Sequence, residues 1–362
     1  METVARNDCR PLEQEIKSNA HHGTVVAVTN AQEASKFIED TLAALRSGDA
    51  ARRSDALDRL DDFFSRSEPA ASIAAIVDFL ASGRDAATGE AFAVSVGGVL
   101  AQSPTFRVFL LDQLGLLCAA NGSDEALNVA CDILRDFTAP DEWAVAMRNI
   151  AWLAPEATPF LEDRMRAMLD HAAWLRAPGG GFLNVFDVIV RARVTGLIPR
   201  LCELLNESGD EIDLAAAAAL YGLGAASPEA TARAFNDHPE LLGDKPRVRA
   251  EMLATANLSH EAERREVERY LDRADVPAAE KEWFFFSLIA PPSFAADNPL
   301  TQAVKAPAED ARRFTTLAQT AGEWLSAGAF PDLHEELEDL LEIAVLSAAA
   351  LDEKSAEPNR HP

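Results

Sequence analysis

Residues 197–224, LIPRLCELLNESGDEIDLAAAAALYGLG, constrain the fold more tightly than any other stretch, because two apolar stripes of helical period flank a single polar turn. Leu197, Leu201, Leu204 and Leu205 form one stripe, and Leu214, Ala215, Ala218, Ala219 and Leu220 are expected to form the other. Alanine at a contact lets a neighbouring helix approach closely, and Gly222 and Gly224 stand where the second helix must stop. Such an antiparallel hairpin covers only half of its apolar surface. It predicts a unit that stacks on others like it.

The same pattern recurs upstream. In residues 127–153, Leu127, Cys131 and Leu134 match the leucine stripe, while Ala144, Met147, Ile150 and Leu153 match the second helix. A third copy is expected over 73–100, with Gly97 and Gly98 near its end. Helical periodicity begins at Ala31, with Phe37, Ile38, Leu42 and Leu45 on one face. It continues through segments 50–65, 70–81, 88–102, 105–119, 124–137, 141–153, 157–175, 182–194, 197–206, 211–224 and 228–236. Beyond residue 240 further helices are expected at 246–257, 261–273, 278–289, 308–327 and 332–351, punctuated by prolines. Ser103, Ser123 and Asp141 are candidate N-cap residues.

The hairpins over residues 70–235 resemble HEAT-like helical repeats, in which a leucine-striped first helix turns through a polar loop into an alanine-rich second helix. The resemblance implies an all-α fold, an irregular α-solenoid-like stack of antiparallel helical hairpins. Where that family commonly opens the second helix with arginine, this chain has Asp213. The expected organisation is a flexible N-terminal arm over 1–30, HEAT-like repeats over 31–240, an irregular helical region over 241–351 and a tail over 352–362.

Charge narrows the classes of partner. The 362 residues carry 59 Asp and Glu against 33 Lys and Arg, a formal charge of -26. That field repels nucleic-acid phosphates and anionic lipid surfaces and attracts a basic protein or peptide. No run approaches the length of an apolar membrane span, and the first 30 residues lack the apolar core of a signal peptide. Cys9, Cys118, Cys131 and Cys202 show no zinc-type spacing and are expected to be reduced thiols, which with the other features points to a cytoplasmic location. Partner identity and oligomeric state are not encoded in any of these features.

No nucleophile motif, paired-carboxylate signature or histidine pair at i, i+4 is present, so no catalytic residue, cofactor or metal ligand is assigned. Gly179, Gly180 and Gly181 follow a helix without a nearby lysine, which suits a hinge better than a phosphate loop. Consecutive aromatics at 283–286 cannot all face inward from one helix, which makes Trp283, Phe285 and Phe286 candidate binding residues. A second candidate surface is the acidic run PDLHEELEDLLE, with Glu335, Glu336, Glu338 and Asp339. The function these features favour is a non-catalytic binding or scaffold protein. Two alternatives stand beside it: an immunity- or antitoxin-type inhibitor of a basic effector, and a lyase-like helical-repeat enzyme with its site near 174–196.

Overall fold

The computed structural model describes residues 27–95, 97–207, 210–290 and 311–356, which form two compact units divided between Val194 and Thr195. The first unit contains α1 (Ala27–Ser47), α2 (Ala50–Arg66), α3 (Pro69–Ala81), β1 (Ala93–Val94), β2 (Leu100–Gln102), α4 (Phe106–Asn121), α5 (Glu125–Ile133), α6 (Pro140–Leu153), α7 (Thr158–Leu169), α8 (Ala172–Arg176) and α9 (Gly180–Arg191). The second contains α10 (Ile198–Glu207), α11 (Asp210–Ala226), α12 (Pro228–Asp237), α13 (Pro246–Leu253), α14 (Glu261–Leu271), α15 (Ala278–Ile289), α16 (Ala311–Ser326) and α17 (His334–Ala356). The chain is thus all-α apart from one small antiparallel hairpin among the described residues. The expected arm and tail fall largely outside them, on residues 1–26 and 357–362, while 27–30 and 352–356 are helical.

Helix starts are set by local chemistry. The Asp49 side chain accepts from the Arg52 amide, Glu68 from Ala70 and Ala71 ahead of α3, and Thr105 from Val108 at the start of α4. Thr105, rather than the expected Ser103, is therefore the cap of α4. Gly122 closes α4 in the left-handed region at φ 65°, where a side chain would be strained.

Segment 88–102 departs from expectation: it is a β-hairpin and not a helix. Gly89, Gly97 and Gly98 all adopt φ 88°, so the glycines bend the chain instead of ending a helix. The Thr88 hydroxyl donates to the Ser103 carbonyl, and Ser95 and Val99 close the turn with a 2.8 Å backbone bond. Consequently the third hairpin copy, 73–100, stops after its first helix. The other two copies are helical hairpins, α5 with α6 and α10 with α11. The phase of α11 also differs from expectation. Its buried stripe is Ile212, Ala216, Ala219, Leu220 and Leu223, while Leu214 is 63% exposed. Five consecutive alanines carry no phase information, so the flanking residues decide which face turns inward.

In the first unit every residue of α6 from Glu142 to Ala151 is buried, because α4, α5, α7 and α9 surround it. Charged side chains inside this core are paired. Arg107 on α4 holds Glu142 with two bonds, 2.7 and 3.0 Å, and the Leu80 carbonyl at 2.7 Å. Arg148, 1% exposed, donates from Nη1 to Asp112 and to the Gly98 carbonyl at 2.8 Å, and from Nη2 to Asn149 at 2.8 Å. Asp112 also accepts the Leu100 amide at 3.2 Å, and the Arg148 guanidinium lies 4.1 Å from the Trp152 ring centroid. One ion pair thereby joins α4, α6 and the β-hairpin. Burial raises the Asp112 pKa, and Arg148 opposes that rise.

The second unit repeats a simple contact order. Helices α11, α13, α15 and α17 each touch the next, α12 touches α14, and α10–α11, α12–α13 and α16–α17 pair as sequence neighbours. Here too a buried arginine makes the joint. Arg249 on α13 grips Glu280 on α15 with two bonds of 2.7 Å and reaches the Pro239 carbonyl at 2.6 Å, while Tyr270 on α14 donates to the same carboxylate at 3.0 Å.

Replacing Arg148 with Met leaves Asp112 and the Gly98 carbonyl buried without their partner, and is expected to lower stability by about 3–5 kcal/mol. Urea denaturation measures the loss. The double variant Arg148→Met/Asp112→Leu should recover at least half of it, because the uncompensated charge is then gone.

Candidate functional site

Helix α15, AAEKEWFFFSLI, separates its aromatics by the 100° step of an α-helix. Phe284 and Phe285 turn into the core, whereas Trp283 and Phe286 remain 38% and 55% exposed. Phe285, expected among the binding residues, is only 4% exposed and belongs to the core. The two outward rings meet edge to face, with centroids 5.6 Å apart and planes at 89°.

Trp283 is held from α13. The Arg247 guanidinium lies 4.4 Å from the indole centroid, and its Nε donates to Glu251 at 2.8 Å. Glu251, 8% exposed, accepts in turn from the Tyr221 hydroxyl on α11. Burial and the Glu251 carboxylate both raise the Tyr221 pKa, so the phenol stays protonated and remains a donor. A continuous chain, Tyr221 to Glu251 to Arg247 to Trp283 to Phe286, therefore spans the three helices α11, α13 and α15. It ends in an exposed aromatic pair whose geometry is set from behind. Immobilising an aromatic anchor before binding removes part of the ordering cost of association.

Tyr221, Arg247 and Glu251 were not singled out by the sequence. The i, i+4 spacing of Arg247 and Glu251 was visible as a pair, but nothing local ties either to a tyrosine in another helix or to the tryptophan. Leu214, two turns before Tyr221 on α11, is a further exposed apolar residue.

The acidic run leads into α17, which packs on α15 and α16, and Leu333 just before the helix and Leu337, Leu340 and Ala344 within it are buried. Glu335, Glu338 and Asp339 are exposed and Glu336 is half-buried. His334 sits 3.4 Å from Glu338. Farther along the same helix, Ile343, Val345 and Leu346 are exposed at 40%, 50% and 63%, giving an acidic end followed by an apolar one.

Gly180 and Gly181 lie in the first turn of α9, with Gly179 as its N-cap residue, rather than in an open linker. The Gly181 amide donates to Asp141 at 3.0 Å, and a Cβ there would fall 2.3 Å from that carboxylate oxygen; a Cβ on Gly180 would fall 2.8 Å from Phe92 Cβ. Gly181 thus permits close approach of α9 to the start of α6, and Gly180 permits close approach to the chain just before β1. Within 174–196, burial raises Asp187 to about 7, opposed by Asn184 at 3.4 Å. Cys118, Cys131 and Cys202 are buried and not in a disulfide, and burial pushes Cys202 up to about 12. Cys9 lies outside the described residues.

Among the described residues no group of three His, Cys, Asp or Glu is placed to hold a metal ion, and no helix is long and apolar enough to cross a membrane. Comparison with protein-family models, curated proteins and solved structures finds no match.

Because Asp187 is harder to ionise folded than unfolded, the folded state binds more protons between the two pKa values. Stability then falls as pH rises from about 4 to about 7, by up to roughly 4 kcal/mol, and is level above that. Asp187→Asn should flatten this slope and raise stability at pH 8 while changing little at pH 4. Chemical denaturation across that range measures both effects.

Proposed function

We propose that the chain is a non-catalytic binding protein whose second unit receives a basic peptide or protein segment with an apolar face. The observation that carries this reading is the exposed Trp283–Phe286 pair, fixed from behind by Arg247, Glu251 and Tyr221. Rigid aromatic anchors backed by buried polar partners are the residue types that concentrate binding energy at interfaces. The partner's charge follows from complementarity. The chain carries a formal charge of -26, and Glu282 beside the aromatic pair and Glu335, Glu338 and Asp339 on α17 are exposed acids of the same unit.

The architecture proposed with it is a short HEAT-like α-solenoid in the second unit. Its support is the contact order of α11, α13, α15 and α17 along one row and α12 and α14 along another. In a stack of this kind successive helices of one row present a continuous surface to an extended partner. The chain from Tyr221 to Phe286 runs across such a row.

A fluorescein-labelled peptide with Lys and Leu at amphipathic helical spacing serves as the probe. Anisotropy should show binding that weakens steeply from about 0.05 to about 0.5 M salt, since exposed charges are progressively screened. Trp283→Ala/Phe286→Ala, at exposed positions, should bind at least about tenfold more weakly, or about 1.4 kcal/mol, with an unchanged circular dichroism spectrum. Equal affinity for this variant, or equally tight binding of an Asp/Leu peptide of the same pattern, would sink the reading.

A further inference from the structure

The second unit also contains a cavity of opposite character to its acidic surface. It measures about 350 Å³ and lies between the loop after α13, the end of α15 and the first turns of α16. Its wall includes Arg312, Arg313 and Thr316 together with Leu258, Leu288 and Leu317, and among the described residues no carboxylate lines it. In a chain with 59 acidic residues against 33 basic ones, a cavity whose described lining carries two arginines and no acid stands apart from the rest of the surface.

The position of these arginines makes the contrast sharper. Both lie in the first turn of α16, where the helix dipole is positive and an anion, not a cation, is favoured. Helix α13 also begins with two arginines, but there each has a carboxylate: Arg247 has Glu251 and Arg249 has Glu280. Arg313 has none among the described residues. One of its amino groups donates to the Leu288 carbonyl at the end of α15, and its ring neighbour is Phe314 at 5.6 Å. Nε and the other amino group donate to no described residue, although the guanidinium has five donor hydrogens in a planar fork. Burial lowers the Arg313 pKa.

We infer that this cavity binds a small organic anion, with Arg313 holding a phosphate or carboxylate head group and the leucines receiving an apolar body. A guanidinium fork matches either head group with two parallel bonds. Leu258, Leu288 and Leu317 are 4%, 1% and 4% exposed, so their side chains form a fixed apolar wall rather than a mobile rim. Thr316 adds a hydroxyl beside the head group, and Arg312 adds positive charge at the exposed edge. The volume lies near the lower end of the roughly 300–1,000 Å³ typical of ligand pockets, which suits a single small molecule. This site is independent of the aromatic pair on α15, and neither requires the other.

Calorimetry on the full chain with inorganic phosphate, phenyl phosphate, phenylacetate and benzyl alcohol tests the inference, all at one matched low ionic strength. Phenyl phosphate or phenylacetate is expected to bind at least about tenfold more tightly than inorganic phosphate, because the apolar body adds contact, and benzyl alcohol is expected not to bind. Arg313→Gln should weaken the organic anion at least about tenfold, whereas Arg84→Gln, at an exposed arginine of the first unit, should leave it unchanged. Arg313→Lys keeps the charge without the fork and should fall between wild type and Arg313→Gln, which guards against a loss caused by misfolding of the latter. Absence of binding by all the anions up to millimolar concentration, or equal affinity in wild type and Arg313→Gln, overturns the site.

Discussion

Buried arginine–carboxylate pairs hold both units in register. Arg148 with Asp112 joins α4, α6 and the β-hairpin, and Arg249 with Glu280 joins α13 and α15 while Tyr270 brings in α14. Leucine- and alanine-rich helices can slide past one another by a turn of about 5.4 Å with little change in apolar burial. A buried ion pair does not tolerate that slip, because displacement strands two desolvated charges at a cost of several kcal/mol. The net stabilisation from such a pair is small beside an apolar substitute. Its effect is to make one register far better than its neighbours, in helices whose apolar faces are otherwise interchangeable.

The same constraint accounts for the glycines and amides clustered around the pairs. Gly115 on α4 faces Asn149, and a Cβ there would lie 2.2 Å from the Asn149 amide oxygen that accepts from Arg148. Asn149 also donates to the Leu111 carbonyl at 3.0 Å, so its amide bridges the guanidinium to the backbone of α4. Gly98 contributes its carbonyl to Arg148 from a left-handed turn. The β-hairpin is thus no interruption in a helical pattern; it carries an acceptor to a buried cation.

Helices were legible where periodicity and punctuation agreed: α3, α6 and α15 lie within a residue of the expected bounds. Legibility failed for a physical reason each time. The alanine run of α11 left its phase to Ile212 and Leu223, exposing Leu214, and the apolar residues of 88–102 fit a helix until three glycines at positive φ are placed. In the candidate site, the aromatic run announced that some rings must face outward, and Trp283 and Phe286 do. The support from Arg247, Glu251 and Tyr221 was hidden because the partners come from separate helices, and only the stacking brings them together.

Sequence alone would treat the arginines that open α13, in PRVR, and those that open α16, in ARR, as the same feature. What separates Arg313 from the arginines of α13 is that no carboxylate among the described residues pairs with it. On α13 the neighbouring α15 supplies Glu280 and the next turn supplies Glu251, so both cations are consumed in building the unit and in fixing Trp283. On α16 the facing elements are the loop after α13 and the end of α15, which offer Arg313 a single carbonyl and a wall of leucines. A cation neutralised inside the fold stabilises a joint; one left beside a cavity attracts an anion from solution. The distinction is created by packing, and it lets a strongly acidic chain retain one place suited to a negatively charged ligand.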